Sequence, residues 1–413
     1  MLHYLKQRLS SRNFKEQSGA GAFFLSIVIW GIGVGCFAAS INNFLAEVLS
    51  ANEFQRGWIE FFRELPGFML VFILAFLSRA TEWSIMRLGI LVSMAGIAFL
   101  LFPSDIRIAT VIIMIWSTGE HVVMPVRSSI AMHMAKRGRE GHSLGFLASA
   151  MNLGTVAGSV IVAAIFWTGT GLFGVEDRRL LYDVVFVLIF VLLAASLICS
   201  TTKNAPRFAS KRPRLYFNRR FGKFYGLELF YGARKQIFLT FAPYVLIMEY
   251  GVSTGEIAML YGVCAAVNIF AGPLIGKIAD KFGYRNVMIY DTVILFFVCL
   301  GYGYAGDIFP PYLAVPFLYL NFLCDSTIST TSMATGMYAK DVAANRDELT
   351  ASLSSGISIN HMVSICVAPL GGWVWMNYGV AFLFTFAALM AAANSLFALT
   401  IPDPRRSKRA AQK

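Results

Sequence analysis

Apolar stretches of roughly 20 residues or more recur from end to end of this chain. That is the length a helix needs to cross the ~30 Å hydrocarbon core of a bilayer. Of 413 residues, 57% are hydrophobic and only 14% charged, against about 25% charged in soluble domains. The stretches lay out as helices at 20–47, 54–78, 84–103, 106–134, 142–168, 180–201, 223–249, 254–278, 286–306, 311–338, 347–374 and 379–401. Too little remains between them for a soluble catalytic domain. In lipid every backbone group must be paired internally, so the expected class is an all-α integral membrane protein with twelve crossings.

The formal net charge of +12 takes its meaning from its distribution. With the N-terminus in the cytoplasm, Arg56, Arg107, Arg178 and Arg179 fall on the far side, and Arg63, Arg127, Arg234 and Lys235 fall inside predicted helices. The other 27 of the 35 Lys and Arg residues face the cytoplasm. This imbalance predicts both termini inside, and it removes nucleic acid as a partner, since no basic face with exposed aromatics is present. The longest polar connection contains Lys203, Arg207, Lys211, Arg212, Arg214, Arg219 and Arg220. It sets the expected domains: a basic tail at 1–19, a six-helix bundle at 20–201, a linker at 202–222, a second bundle at 223–401 and a basic tail at 402–413. The apolar run after the first tail is too long for a cleaved signal peptide. Cys36, Cys199, Cys264, Cys299, Cys324 and Cys366 lie in apolar runs without a CxxC pair. They read as small buried hydrophobes, with no disulfide or metal framework.

The two halves share a weak internal symmetry. Segment 66–93 aligns with 268–295, and the fourth and tenth helices align so that Glu120 falls opposite Asp325. Repeats of this kind are a transporter trait. Between the eighth and ninth helices the chain reads Gly276-Lys-Ile-Ala-Asp280-Lys281-Phe-Gly283-Tyr284-Arg285. This resembles the G-x-x-x-D-(R/K)-x-G-x-(R/K) loop of the major facilitator superfamily, as do the basic central linker and the six-plus-six layout. The resemblance implies two pseudo-symmetric six-helix bundles that rock about a central site, with the loop as a gating latch. Physically, Gly276 permits close approach of helix ends and Gly283 a tight turn. Asp280 suits a helix N-terminus, and Lys281 and Arg285 suit the anionic cytoplasmic face. The equivalent segment after the second helix, Phe76–Trp83, lacks both glycines and the aspartate, leaving Glu82 with Arg79 and Arg87 as substitutes.

In the fifth helix Gly145, Gly154 and Gly158 have a spacing resembling the antiporter signature of drug-exporting members, but Ser159 stands where the proline is expected. Small-residue packing is the favoured reading, here and for Gly31 and Gly35.

Ionisable residues deep in a membrane cost at least about 2.5–3.5 kcal/mol each on insertion scales and mark function. The residues near mid-depth are Arg63, Glu64, Glu120, His121, Arg234, Lys235, Asp325 and His361. Arg127 shares a stripe with Glu120, Lys235 with Glu228 and Tyr231, His361 with Ser354 and Ser358, and Asn152 with Thr155 and Ser159. Coupling requires a group that changes protonation. Burial raises a carboxylate toward neutrality and histidine titrates near it; Glu120 is the first choice and Asp325 the second. Arg234 or Lys235 on one side, and Glu120, Arg127 or His361 on the other, would hold the solute.

No phosphate loop, no G-x-S-x-G elbow and no H-E-x-x-H helix accompanies these residues, so ATP-driven transport and intramembrane catalysis are not expected. No cofactor or metal is called for. The expected activity is secondary, proton-coupled transport of a small organic solute, tilted toward an anionic one, by a monomer in a bacterial cytoplasmic membrane. The alternatives are a multidrug-type proton antiporter and a non-transporting receptor of the same fold.

Overall fold

Helix follows helix through the computed structural model, which describes residue 14 and residues 19–102, 105–137, 139–201 and 217–402. The elements are α1 (Ala20–Glu47), α2 (Glu53–Phe76), α3 (Glu82–Leu100), α4 (Ile106–Met134), α5 (Glu140–Gly171), α6 (Arg178–Cys199), α7 (Gly222–Met248), α8 (Thr254–Phe282), α9 (Tyr284–Ile308), α10 (Pro311–Ser329), α11 (Met333–Val342) and α12 (Arg346–Leu399). The predicted spans at 20–47 and 106–134 coincide with α1 and α4, and the others shift by a few residues. The span expected at 311–338 passes from α10 through a 3-10 turn at Thr330–Ser332 into α11. The last two expected spans run together as α12, which breaks at Gly379, where φ is 83°. Among the described residues eight helical segments are long and apolar enough to cross a membrane; α2 and α7, which carry buried charges, are not among them. Much of each expected tail, and residues 202–216 of the linker with its first five basic side chains, lie outside the described residues.

Local chemistry sets the helix ends. Asp105 accepts from the Arg107 and Ile108 amides, and Asp177 from that of Arg179, each satisfying N–H groups that a helix start leaves open. At α12 the Asn345 side chain accepts from Glu348 N at 2.9 Å while Glu348 accepts from Ala344 N at 2.7 Å. This resembles a capping box, with Glu348 reaching the amide one residue before the cap.

The described chain forms two compact units. The first takes Met1–Leu49, Met69–Arg212 and Thr254–Ala266; the second takes Ser50–Phe68, Pro213–Ser253 and Val267–Lys413. The units follow the expected halves except for two half-helices: the first part of α2 packs in the second unit and the first part of α8 in the first. Pro66, just before the point where α2 changes unit, lacks an N–H and opens one rung of the helix there. In the second unit, a Cβ on Gly57 would stand 2.5 Å from the Ala368 carbonyl oxygen, and one on Gly372 2.5 Å from that of Glu53. In the first unit, Thr254 at the start of α8 meets Tyr182 Oη at 2.7 Å, and that hydroxyl donates to Glu47 at 2.9 Å.

Glycine contacts bring α1 and α5 together. A Cβ on Gly158 would meet Ile32 O at 2.3 Å, one on Gly154 would meet Val28 O at 2.7 Å, and one on Gly35 would meet Thr155 Cα at 2.7 Å. Cys36 Sγ donates to Gly158 O at 3.4 Å across the same seam. The small-residue reading of Gly154 and Gly158 therefore has its physical ground, whereas Gly145 faces open space. Gly158→Ala should lower stability by about 1–3 kcal/mol, because two backbones must part. Gly145→Ala should be neutral or slightly stabilising, with only a helix-propensity gain. Thermal melts of the two variants in detergent check this.

One expectation on cysteine is corrected. Cys36, Cys264 and Cys299 are buried, but Cys199 and Cys324 are half-buried and Cys366 is exposed. An apolar run in a membrane has a lipid-facing side, so apolar surroundings do not require burial in protein.

Candidate functional site

Four charged residues of α2, Arg56, Glu60, Arg63 and Glu64, recur at the spacing that puts them on one helix face. Glu60 is fully buried and accepts from Arg56 Nη1 at 2.8 Å, Arg63 Nε at 2.9 Å and Arg63 Nη2 at 2.5 Å. Arg63 Nη2 also donates to Glu64 Oε1 at 2.5 Å. From α7, Gln236 Nε2 donates to Glu60 Oε1 at 2.8 Å and to Thr240 Oγ1 at 2.7 Å. From α12, His361 Nδ1 lies 2.9 Å from Glu64 Oε2, with both residues buried. All these residues belong to the second unit. With His361 neutral, two carboxylates balance two guanidiniums, which is the condition for burying so many charges.

Three successive α7 residues serve three different neighbours, because side chains on a helix turn about 100° per residue. Gln236 faces Glu60. Lys235 is half-buried and within electrostatic reach of Glu64 and of Glu228, whose carboxylate accepts from Thr335 Oγ1 at 3.0 Å. Arg234 is buried, its Nη1 3.5 Å from Asp291 Oδ2 on α9. Thr331 also donates to Asp291, and Asp325 lies within electrostatic reach of Arg234. Gly232 makes this possible: a Cβ there would meet Asn360 O at 2.9 Å, so α7 and α12 run in close contact.

The remaining expected residues lie in the first unit. Glu120 is half-buried and within electrostatic reach of Arg127, whose Nη1 points to Met151 Sδ at 3.1 Å. His121 Nδ1 meets Ser117 Oγ at 3.0 Å. Asn152 is half-buried beside Met151.

At the loop, Gly283 adopts φ 81°, a turn that a side chain would strain. Arg285 Nη2 donates to Leu399 O at 2.8 Å, and Lys223 Nζ to Thr400 O at 2.5 Å; two cations thus cap the end of α12, where the helix dipole is negative. Lys281 Nζ lies 5.4 Å from the Phe282 ring centroid. Asp280 is exposed in the last turn of α8. The close helix approach expected at Gly276 is absent: a Cβ there would meet only Met333 Sδ, at an ordinary 3.7 Å.

Sequence reasoning missed Arg56, Glu60, Gln236 and Asp291 as parts of these networks. Arg56, counted with the far-side charges at the start of the second expected helix, is buried in α2, 5% exposed and paired to Glu60. The signal was the four-residue spacing from Arg56 to Glu60 and on to Glu64. Asp291 and Arg234 meet through the tertiary fold and leave no such trace.

The family model for the Major Facilitator Superfamily matches residues 22–345. No curated protein matches the sequence. Solved structures share the fold at low identity. The nucleoside transporter NupG is 11% identical at a TM-score of 0.71, covering 92% of this chain and 98% of that one. A D-xylose–proton symporter is 14% identical at 0.70, covering 94% and 99%. A POT family transporter crystallised with a thioalcohol-conjugated peptide is 12% identical at 0.72, covering 92% and 95%. With the model spanning most of its length and known transporters sharing its fold, this multi-pass membrane protein belongs to the major facilitator superfamily and is a secondary transporter, not an enzyme.

Proposed function

We propose that the protein moves a small organic solute bearing an anionic group across the cytoplasmic membrane by alternating access, coupled to protons, as a monomer with both termini inside. The observation that carries this reading is the buried Glu64–His361 contact at 2.9 Å. A carboxylate and an imidazole at that distance share a proton, and an imidazole has two nitrogens that can each carry one. The α2 network is neutral with His361 uncharged, so a second proton leaves it at +1. An anionic group on the solute offsets that charge. Proton and solute then load together, which favours symport. A fold shared with a proton symporter is consistent with this reading.

The test is reconstitution in liposomes loaded with a pH-sensitive dye, challenged with pools of amino acids, organic acids, sugars and nucleosides. One pool should shift the internal pH, and its radiolabelled members should accumulate when the outside is made acidic. Solute that equilibrates without moving the dye, and ignores an imposed gradient, ends the proton-coupled reading.

A further inference from the structure

We propose that the Arg234–Asp291 pair is a recognition site for a zwitterionic solute carrying a carboxylate and an amine, an amino acid or a close analogue. The proposal rests on the transport reading above and names the class of solute it would take.

A guanidinium presents two donating edges, each able to hold a carboxylate through parallel N–H bonds. Arg234 uses Nη1 for Asp291 Oδ2 at 3.5 Å. Its Nε and Nη2, which together form the other edge, are buried and have no hydrogen-bond partner. The residue as a whole is 2% exposed. Buried donors of this kind are costly to leave unpaired, more so when charged, and most arginines this deep have every edge occupied. Asp291 repeats the pattern. Its Oδ2 receives Thr331 and faces Arg234, while its Oδ1 is buried without a partner. An unpaired donating edge and an unpaired acceptor thus belong to one ion pair. The Tyr231 ring, 5.3 Å from Arg234 Cζ, holds the guanidinium plane. Tyr231 and Asp325, two neighbours of the guanidinium, are half-buried.

Charge decides the class of solute. Arg234 stands with two carboxylates, Asp291 beside it and Asp325 within electrostatic reach. This group carries a net charge of −1 when all three are ionised. A simple carboxylate on the Arg234 edge would take it to −2 in a medium of low dielectric, which is unfavourable. A zwitterion leaves the balance unchanged: its carboxylate takes the Nε–Nη2 edge and its ammonium takes Asp291 Oδ1 or Asp325. A sugar or nucleoside would leave the charged edge unmatched.

The experiment uses the purified full-length protein and matched probes on one skeleton: phenylalanine, phenyllactate, phenylpropionate and phenethylamine, with the corresponding leucine and alanine sets. Binding is read by thermal shift and by competition. In at least one set the amino acid should bind best. The acid without an amine, and the amine without a carboxylate, should each bind roughly 10- to 100-fold more weakly, the loss expected for one charged hydrogen-bonding group. Arg234→Lys keeps the positive charge but loses the planar fork and should weaken the amino acid by a similar factor. Asp291→Asn should erase the preference of amino acid over hydroxy acid. If the variants fail to fold, the ranking of probes on the wild type still decides. A deaminated acid or a bare amine that equals the amino acid overturns the proposal. So does binding of no amino acid in any set. Sugars or nucleosides transported independently of Arg234 would overturn it together with the anionic solute proposed above, while leaving alternating-access transport intact. If no solute of any pool crosses the liposome membrane, the transport reading itself falls with it.

Discussion

Glu64→Gln should abolish uphill accumulation while leaving exchange of solute across the membrane nearly as fast as before. The amide keeps the size of the carboxylate and still offers an oxygen to His361 Nδ1, so the 2.9 Å contact survives as a neutral hydrogen bond. What disappears is the negative charge that faces the imidazole across this contact. Arg63, which also donates to Glu60, retains a partner, so folding should hold. The network then carries a permanent positive charge, and protonation of His361 meets no carboxylate to receive it. A transporter that no longer links proton and solute runs only down the solute gradient. In liposomes with an acid exterior, internal solute should therefore level off at the external concentration, whereas labelled solute should still exchange against unlabelled solute inside. His361→Gln should give the same split, since either partner alone cannot form the proton-sharing pair. Full accumulation by both variants would eliminate this pair as the coupling site. The same assay applied to Glu120→Gln and Asp325→Asn would then decide between the two carboxylates that the sequence ranked first.

That ranking shows where sequence reading ends. The helices were legible because most of them share the length and apolar composition that lipid requires, and α1 and α4 appear at the bounds expected for them. The glycine seam was legible in spacing, since Gly31 and Gly35 pack against Gly154 and its neighbours. The charged candidates were legible only as a set. Symmetry put Glu120 against Asp325, but pairing is decided by which helix faces lie together in each unit. Glu64 finds its histidine 297 residues away. Arg234 finds Asp291 on a helix whose sequence shows one aspartate in its second turn and nothing to announce a partner. The loop motif was legible in its turn, at Gly283, and not in its contacts. Arg285 caps the end of α12 through a backbone carbonyl, a kind of partner that carries no side-chain signature.

Glu60→Ala should be the most destabilising single change in the second unit, at about 3–5 kcal/mol, the loss expected when one partner of a buried ion pair is removed. Glu60 is 0% exposed and holds four donors: one from Arg56, two from Arg63 and one from Gln236. Alanine removes the acceptor of all four. Arg63 retains Glu64 at 2.5 Å, and Gln236 retains Thr240. Arg56, 5% exposed, loses the carboxylate that it meets at 2.8 Å. The loss of this close buried ion pair is the dominant penalty, and that identifies a rescue. In Arg56→Met with Glu60→Leu the charge and its partner leave together, and Arg63, Glu64 and His361 remain balanced. Buried ion pairs replaced by apolar residues of similar volume are often neutral in stability, so the double variant should recover most of what Glu60→Ala loses. The two changes should be strongly non-additive, as expected for side chains in direct contact. Unfolding midpoints in detergent, read for Arg56→Met, Glu60→Ala, Glu60→Leu and the double variant, measure the coupling. A Glu60→Ala protein within about 1 kcal/mol of wild type, the ordinary range for a point change, would mean that this network contributes little to the fold. A double variant no better than the single one would mean that Glu60 stabilises by its shape and not by its charge.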